Sequence, residues 1–305
     1  MQRTEFYEPG PQKCFLCEEE DWASYRSTER FGFTLEFRKC RCGVASQHPL
    51  PNKRFYDWFF NSALFESAKK SGSKEIWGFY DFFADERARF LTSKLRMRML
   101  RRHFPASASR ILKIGPATGT FLKLAQDIGH EVFGCDISPK FSEFALEKYD
   151  VKIDVGRFED LPYSDVSFDL ILALSIWENL PDPLGFMRLV RSKLKPGGAL
   201  VLNYVNMERN LVEKFQKSNY FLFRPPVAHI YTTRLIYRLA RKSGFKIERE
   251  IPDIRFMHAE KLFSTLGWQF AVRVVQRLRI AYLPFPFIAY PSKIIVLRKC
   301  DDSSS

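Results

Sequence analysis

The sequence predicts a doubly wound α/β sheet preceded by a small metal-binding ribbon. Three observations carry that expectation. From Arg110 onward, short apolar runs alternate with segments of helical periodicity; a glycine-bearing turn follows the first of those runs; and two close cysteine pairs stand near the start of the chain. The 305 residues suffice for one large domain or two ordinary ones with a sizeable core. An apolar fraction of 46% argues against disorder. No apolar run approaches the ~20 residues of a spanning helix. The opening stretch Met1–Cys14 lacks the apolar segment of a signal peptide, so a cytoplasmic chain is expected.

The cysteine pairs are Cys14-Phe-Leu-Cys17 and Cys40-Arg-Cys42-Gly43. Two thiolate pairs roughly two dozen residues apart can close one tetrahedral site, and Gly43 lets the second knuckle turn tightly. Structural zinc is the expected occupant, held by Cys14, Cys17, Cys40 and Cys42. A redox pair or unliganded thiols are the alternative. With four thiolates the metal has no open position, so no catalytic role is assigned to it. This module is expected over 1–52 and ends at His48-Pro-Leu-Pro51, which reads as extended linker. An aromatic-rich helical lead-in over 53–109 closes with the basic run Lys94–Arg102. Leu and Met alternate with those cations, which favours a helix with one solvated face over a polyanion contact.

In the central region, Arg110–Ile114, Glu131–Asp136, Val151–Val155, Phe168–Leu174 and Leu200–Tyr204 read as strands. Phe121–Gln126, Pro139–Lys148 and Pro183–Leu194 read as helices between most of them. Lys195-Pro-Gly-Gly198 stops the last helix and turns the chain into the next strand. Ligands are expected at the carboxyl ends of the strands. The first strand runs into Ile114-Gly115-Pro-Ala117-Thr-Gly119, where glycine lets the backbone approach a ligand and open a helix. The second strand ends at Asp136, a carboxylate able to accept from both hydroxyls of a ribose. In register on consecutive strands, the two elements point to a nucleoside. A Gly-x-Gly-x-x-Gly dinucleotide fingerprint is broken by Ala117 and Thr120, and no Gly-x-x-x-x-Gly-Lys-Ser/Thr loop is present.

The stretch from Ile111 to Val201 resembles the class I S-adenosylmethionine (SAM)-dependent methyltransferases. It does so through Ile-Gly-Pro-Ala-Thr-Gly, Gly-Cys-Asp136-Ile-Ser, Phe158-Glu-Asp-Leu-Pro-Tyr163, Ser167-Phe-Asp-Leu-Ile171 and Leu194-Lys-Pro-Gly-Gly198. The cysteine pairs and His-Pro-Leu-Pro are similar to the zinc-ribbon extension of one group in that family. Pro226-Val-Ala-His229-Ile-Tyr-Thr-Thr and Arg241-Lys-Ser-Gly-Phe245 are similar to that group's later elements. The resemblance implies a Rossmann-like sheet of seven strands, the last antiparallel, with Phe245–Glu250 and Ser292–Arg298 as the sixth and seventh. It also implies a SAM-binding domain over 110–300. Gly115, Ala117 and Gly119 would lie against the methionine part, Asp136 on the ribose and Ile137 against the adenine. Phe158 and Glu159 would border the adenine edge, and Ser175, Trp177 and Glu178 would stand between cofactor and acceptor. Trp177 reads equally as core packing.

Several positions depart from the family pattern. Lys113 stands where an acidic residue helps hold the cofactor's ammonium; at ~4 Å and an effective dielectric near 20 the repulsion is about 4 kcal/mol. A long side chain can relieve it by swinging aside or pairing with the methionine carboxylate. Ala117 replaces the middle glycine, and Arg157 replaces an aspartate facing the adenine, a task Glu159 could assume. Asn179 replaces a histidine that serves some relatives as general base. The resemblance makes His229 the first candidate base, followed by Tyr204 and Glu178. A structural histidine is an equal reading of His229.

The formal charge of +13 is concentrated late in the chain, where Arg188–Cys300 holds 22 Lys/Arg against 6 Asp/Glu. Residues 203–231 read as an insertion capping the substrate cleft, and Ala259–Ile280 as an arginine-bearing amphipathic helix. Packing on the sheet with solvated arginines is preferred over contact with an anionic membrane surface. Residues 301–305 are expected as a tail. The expected activity is methyl transfer to a small molecule, glycan or lipid-linked acceptor. A catalytically silent binding or scaffold protein, and less so an RNA methyltransferase, are the alternatives; no base-reading or aromatic-basic nucleic-acid motif is present.

Overall fold

The computed structural model describes residues 4–30, 32–63, 75–76, 79–80, 83, 85–103, 108–207, 223–265 and 267–300. The N-terminal part holds β1 (Tyr7–Glu8), β2 (Trp22–Arg30), β3 (Phe33–Cys40), β4 (Ala45–Gln47) and β5 (Leu50–Pro51). There follow α1 (Lys53–Trp58), the pair β6 (Glu75–Ile76) and β7 (Phe79–Tyr80), and α2 (Glu86–Leu100). Among the described residues of the expected helical lead-in, α1 runs on into a π-helical turn, Phe59–Ala63, and the strand pair precedes α2. Asn52 starts α1 by accepting the Phe55 N–H at 3.1 Å. Strand β3 alternates buried Phe33, Leu35 and Phe37 with exposed residues, the pattern of a sheet covered on one face.

The central sheet is built from β8 (Arg110–Ile114), β9 (Glu131–Asp136), β10 (Asp154–Val155), β11 (Phe168–Ala173) and β12 (Leu194–Val205). After β13 (His229–Ile230) the chain adds β14 (Phe245–His258) and β15 (Pro284–Lys299). The spatial order is β10-β9-β8-β11-β12-β15-β14, with the first five parallel and the last two joined antiparallel. This is the seven-stranded doubly wound sheet expected. The α-helices among the described residues of this part are α3 (Thr120–Asp127), α4 (Pro139–Tyr149), α5 (Pro183–Lys193), α6 (Thr233–Lys242), α7 (Ala259–Thr265) and α8 (Gln269–Arg277). One face of the sheet buries Leu170, Leu172 and Val201 with Phe121 of α3 and Leu100 of α2. The other buries Ile171, Leu200 and Leu202 with Val190 of α5 and Leu239 of α6. Each of these side chains contributes about 1.5–3 kcal/mol by leaving water.

Two expectations are corrected. The strand expected over Val151–Val155 shrinks to Asp154–Val155, because Val151 and Ile153 are used against Leu122 and Ala145 before pairing begins. The helix expected over Ala259–Ile280 is two helices, broken at Gly267, whose φ of +75° no continuing helix accepts. In the basic run of α2, Lys94 and Arg98 are exposed as expected, while Arg96 is only 11% exposed, its Nη2 donating to Asp253 Oδ1 at 2.7 Å. Of the insertion 203–231, residues 208–222 lie outside the described residues. Its last part, β13, pairs antiparallel with ribbon strand β4, His229 opposite Ser46.

Candidate active site

The turn after β8 brings the parallel strands to their crevice. Gly115 and Gly119 lie at φ +64° and +80°, and Ala117 also takes a left-handed φ of +51°. Alanine tolerates that conformation at a cost of about 1 kcal/mol, which is why Ala117 changes the turn less than a larger residue would. A Cβ on Gly115 would come within 2.8 Å of Ile176 Cγ2. Gly115 therefore lets the β8 turn touch the loop after β11, the point where strand order reverses.

Asp136, at the end of β9, is nearly buried. Its Oδ2 accepts the Ala117 N–H at 3.1 Å and its Oδ1 the Ser138 N–H at 3.0 Å. Each oxygen keeps a lone pair for a further donor. Burial pushes its carboxyl up to about 6, against the N–H groups of Ser138 and Ala117. Lys113 is buried beside them, its Nζ donating to the Gly115 carbonyl at 3.2 Å. Burial, then the Arg96 guanidinium, pushes its ammonium down to about 7. The lysine is thus turned back onto its own strand and loses part of its charge near neutrality.

Across the crevice, Ser175 is exposed at φ +64°, its N–H held by Asn203 Oδ1 at 2.5 Å. Asn203 in turn donates to Asp253 Oδ2 at 3.1 Å. Asp253 is fully buried and also accepts from Arg96, Arg255 and Ser292. Burial opposes its charge, but the Arg255 and Arg96 guanidiniums hold the carboxyl well below the usual range. Asn203 and Asp253 went unrecognised in the sequence. The available signal was a polar residue inside the apolar run Leu200–Tyr204. Glu178 is half-buried and accepts the Val205 N–H on Oε1 at 3.0 Å. Burial raises its carboxyl above the ordinary value, against N–H groups including that of Val205.

Other expected site residues lie elsewhere. Both ring nitrogens of His229 are engaged, Nδ1 with Ser46 Oγ at 2.8 Å and Nε2 with the Pro181 carbonyl at 2.9 Å. The ring is fully buried, and burial pushes it down to about 4. His229 therefore braces the ribbon against the sheet domain and has no nitrogen open to a ligand, correcting its place as first candidate base. The Tyr204 hydroxyl donates to Glu250 and lies 3.0 Å from Thr233 Oγ1, whose own hydroxyl can donate to it; with burial raising its pKa, it is not free to act as a base. Trp177 is fully buried, 5.4 Å from the Tyr231 ring and 6.3 Å from Phe186, so it is core rather than a platform. Phe158 packs into the same core against Phe186, while Glu159 is exposed. Ile137 is half-buried against the aromatic cluster containing Phe55 and Phe59.

Arg157 has its own task. Its Nη2 donates to Asp57 Oδ1 at 2.7 Å and to the Lys53 carbonyl at 2.9 Å, while Lys53 pairs with Asp160 at 3.6 Å. Lys140 reaches the Asn61 carbonyl at 3.4 Å. These contacts strap α1 and the turn after it across the ends of β9 and β10.

The four ribbon cysteines bring their sulfurs within 4.8 Å of one another, with Cys14–Cys42 at 3.6 Å and Cys17–Cys40 at 3.4 Å. Sulfurs about 3.8 Å apart are what a tetrahedral ion with 2.3 Å bonds requires, so the donor set fits zinc. Knuckle turns support both pairs: Glu18 N–H to Cys14 O and Gly43 N–H to Cys40 O, each 2.8 Å.

A family model described as a methyltransferase domain matches residues 83–250, more than half of the chain. The chain belongs to this family and is a class I SAM-dependent methyltransferase. Over 171 residues it is 29% identical to an uncharacterized protein of Methanocaldococcus jannaschii, spanning 55% of this chain and 77% of that one. Over 172 residues it is 25% identical to a demethylmenaquinone methyltransferase of Tropheryma whipplei, spanning 53% of this chain and 70% of that one. The crystal structure of magnesium protoporphyrin IX methyltransferase from Synechocystis, with bound SAH, shares the fold. Its TM-score is 0.52 at 14% identity, over 81% of this chain and all of that one.

Proposed function

We propose that this methyltransferase modifies a small, largely apolar acceptor, with Glu178 taking the acceptor's proton. The observation that carries the reading is Glu178 itself. It is half-buried in the loop after β11, with one oxygen fixed by Val205 and a carboxyl that burial raises above its ordinary value. A carboxylate with a raised pKa is a better base than an ordinary one. SAM supplies an electrophilic methyl group on a sulfonium. In this reading Gly115, Ala117 and Gly119 flank its methionine part, Asp136 accepts from its ribose hydroxyls, and Ile137 and Glu159 border the adenine. Ser175 lines the path between cofactor and acceptor. Phe158 and Trp177 support these residues from the core. Displacement at a methyl group gains chiefly from alignment, so Glu178 adds to a rate set by positioning.

An apolar acceptor is supported by the half-buried Trp58, Phe60, Ile137, Val205 and Met207, which pack on one aromatic cluster; Val205 also bonds Glu178 through its N–H, and Ile137 follows Asp136 in the chain. The Tropheryma whipplei relative, named for demethylmenaquinone, supports the same class. Glycan and lipid-linked acceptors are outcomes of the same assay. We also assign Cys14, Cys17, Cys40 and Cys42 to one structural zinc. The test is transfer of labelled methyl from SAM to a panel of hydroxylated quinones, naphthols, glycosides and lipid-linked sugars. Glu178→Gln is expected to lower kcat by about 10²-fold or more while leaving SAM affinity within a factor of about two. Unchanged kcat would remove Glu178 as base, and labelling confined to glycosides would overturn the apolar class.

A further inference from the structure

The segment between β14 and β15 presents a surface that the methyl-transfer reading does not use. Along α8, Phe270, Val274 and Leu278 recur at i, i+4 and i+8 and so share one stripe. Phe270 is 79% exposed and Leu278 61%. Trp268, before the helix, is 58% exposed, and its ring stacks on Phe263 at 5.9 Å. Inward-facing Val275 packs with Ala259 and Ala281, which fixes the helix on its base and leaves the stripe outward. The following turn and strand continue the exposed apolar surface through Leu283, Phe285 and Ile288. Backbone bonds Ala259 N–H to Leu283 O (2.9 Å) and Glu260 N–H to Ala281 O (3.1 Å) make helix, turn and hairpin one unit.

The charge on this unit has one sign. Residues 259–289 contain Lys261, Arg273, Arg277 and Arg279 against a single acid, Glu260, which already accepts from Gln276 at 3.0 Å. Arg273, Arg277 and Arg279 are exposed, and Arg273 and Arg277 lie one helical position from the apolar stripe. A second copy of the same face would bring these cations against their own kind, whereas a phosphate-bearing surface would be attracted. Exposed aromatic and aliphatic side chains flanked by arginine are the composition of a helix lying in a bilayer interface. No helix among the described residues is long and apolar enough to cross a membrane.

The unit also lies at the catalytic end of the sheet. Val205, at the carboxyl end of β12, pairs with Ser292, and the β14–β15 hairpin continues beyond that pair through Ile254–Ile288 to His258–Pro284. We propose that α8, the turn after it and the outer β14–β15 hairpin dock on an anionic lipid bilayer. Phe270, Val274 and Leu278 enter the interface, and Arg273, Arg277 and Arg279 meet the phosphates. Docking there brings the acceptor side of the sheet toward the membrane, and it holds whichever acceptor is methylated.

The test is cosedimentation of the full chain with phosphatidylcholine vesicles, with and without about one third phosphatidylglycerol. Binding is expected to the anionic vesicles, to weaken as salt rises, and to be slight on phosphatidylcholine alone. The double variant Phe270→Ser/Leu278→Ser is expected to lose binding by about tenfold or more. Arg273→Gln/Arg277→Gln is expected to lose it comparably on anionic vesicles, and both should keep the parent melting temperature and SAM affinity. Absence of binding to anionic vesicles, or binding unchanged in both double variants, would overturn the proposal. So would a parent dimer in sedimentation that Phe270→Ser/Leu278→Ser dissolves, which would make this face a self-interface.

Discussion

In the proposed placement of the cofactor, Lys113 and Asp136 set the electrostatics of the crevice, and both are expected to titrate within reach of neutral pH. Lys113 lies at about 7 and Asp136 at about 6 in the folded protein. A cationic cofactor is favoured by the neutral amine and by the ionised carboxylate, so both groups make binding stronger as pH rises. For a group titrating near 7, the neutral fraction grows about tenfold between pH 6 and 8. SAM affinity measured by calorimetry should rise by about that factor in the same window, plus about twofold from Asp136. Lys113→Met should keep only the smaller rise. An affinity independent of pH in the parent protein would show that Lys113 does not face the ligand. Asp136→Ala should weaken SAM about 100-fold, since it removes a charge-assisted acceptor from two hydroxyls.

At the scale of elements, the ribbon and the sheet domain meet through β4, β13 and the loop after β11. Ser46 bonds His229, Gln47 N–H bonds the Ala228 carbonyl at 2.9 Å, and Ala228 N–H bonds the Glu178 carbonyl at 2.8 Å. One short path thus links the ribbon to the candidate base. His229→Phe fills the space but leaves the fully buried Ser46 hydroxyl without its partner, at about 2 kcal/mol. A lower melting temperature with SAM affinity intact is the expected result; a rate lost with no loss of stability would return His229 to the chemistry. This junction also explains what the sequence disclosed. The Gly115–Gly119 turn and Asp136 were legible because each sits at the end of its own strand, where local pattern specifies position. The two equal readings of His229, base or structural histidine, stayed open in the sequence because its contacts depend on Ser46, 183 residues away. Trp177, for which core packing was one of two equal readings, and Phe158 are drawn into the core by Phe186 and Tyr231, partners no local spacing announces. Arg157 looked like a damaged adenine contact until Asp57, 100 residues earlier, was found holding it.

At the scale of the whole molecule, the ribbon shares its core with the sheet domain. Cys14, Leu16, Cys40 and Val44 lie in the same buried cluster as Leu184, Tyr204, Leu235 and Leu239. Phe15 packs on His229 at 4.8 Å, and Lys242 of α6 donates to the Leu16 carbonyl at 3.2 Å and to Glu18 at 3.0 Å. Four thiolates brought this close repel one another unless a cation holds them, so losing the proposed zinc would loosen the knuckles. Because Leu16 and Val44 share one buried cluster with Leu184 of α5 and with Leu235 and Leu239 of α6, loosening the ribbon uncovers apolar surface of the sheet domain as well. Chelation should therefore lower one cooperative melting transition by about 10 °C, rather than melt the ribbon separately and leave the sheet domain unchanged. Calorimetric scans with and without chelator, alongside metal analysis expected to give about one zinc per chain, test this directly. Two transitions, with the upper one unmoved by chelator, would mean that the ribbon is an appendage. A single lowered transition would mean that the metal site, His229 and the catalytic crevice stand or fall together.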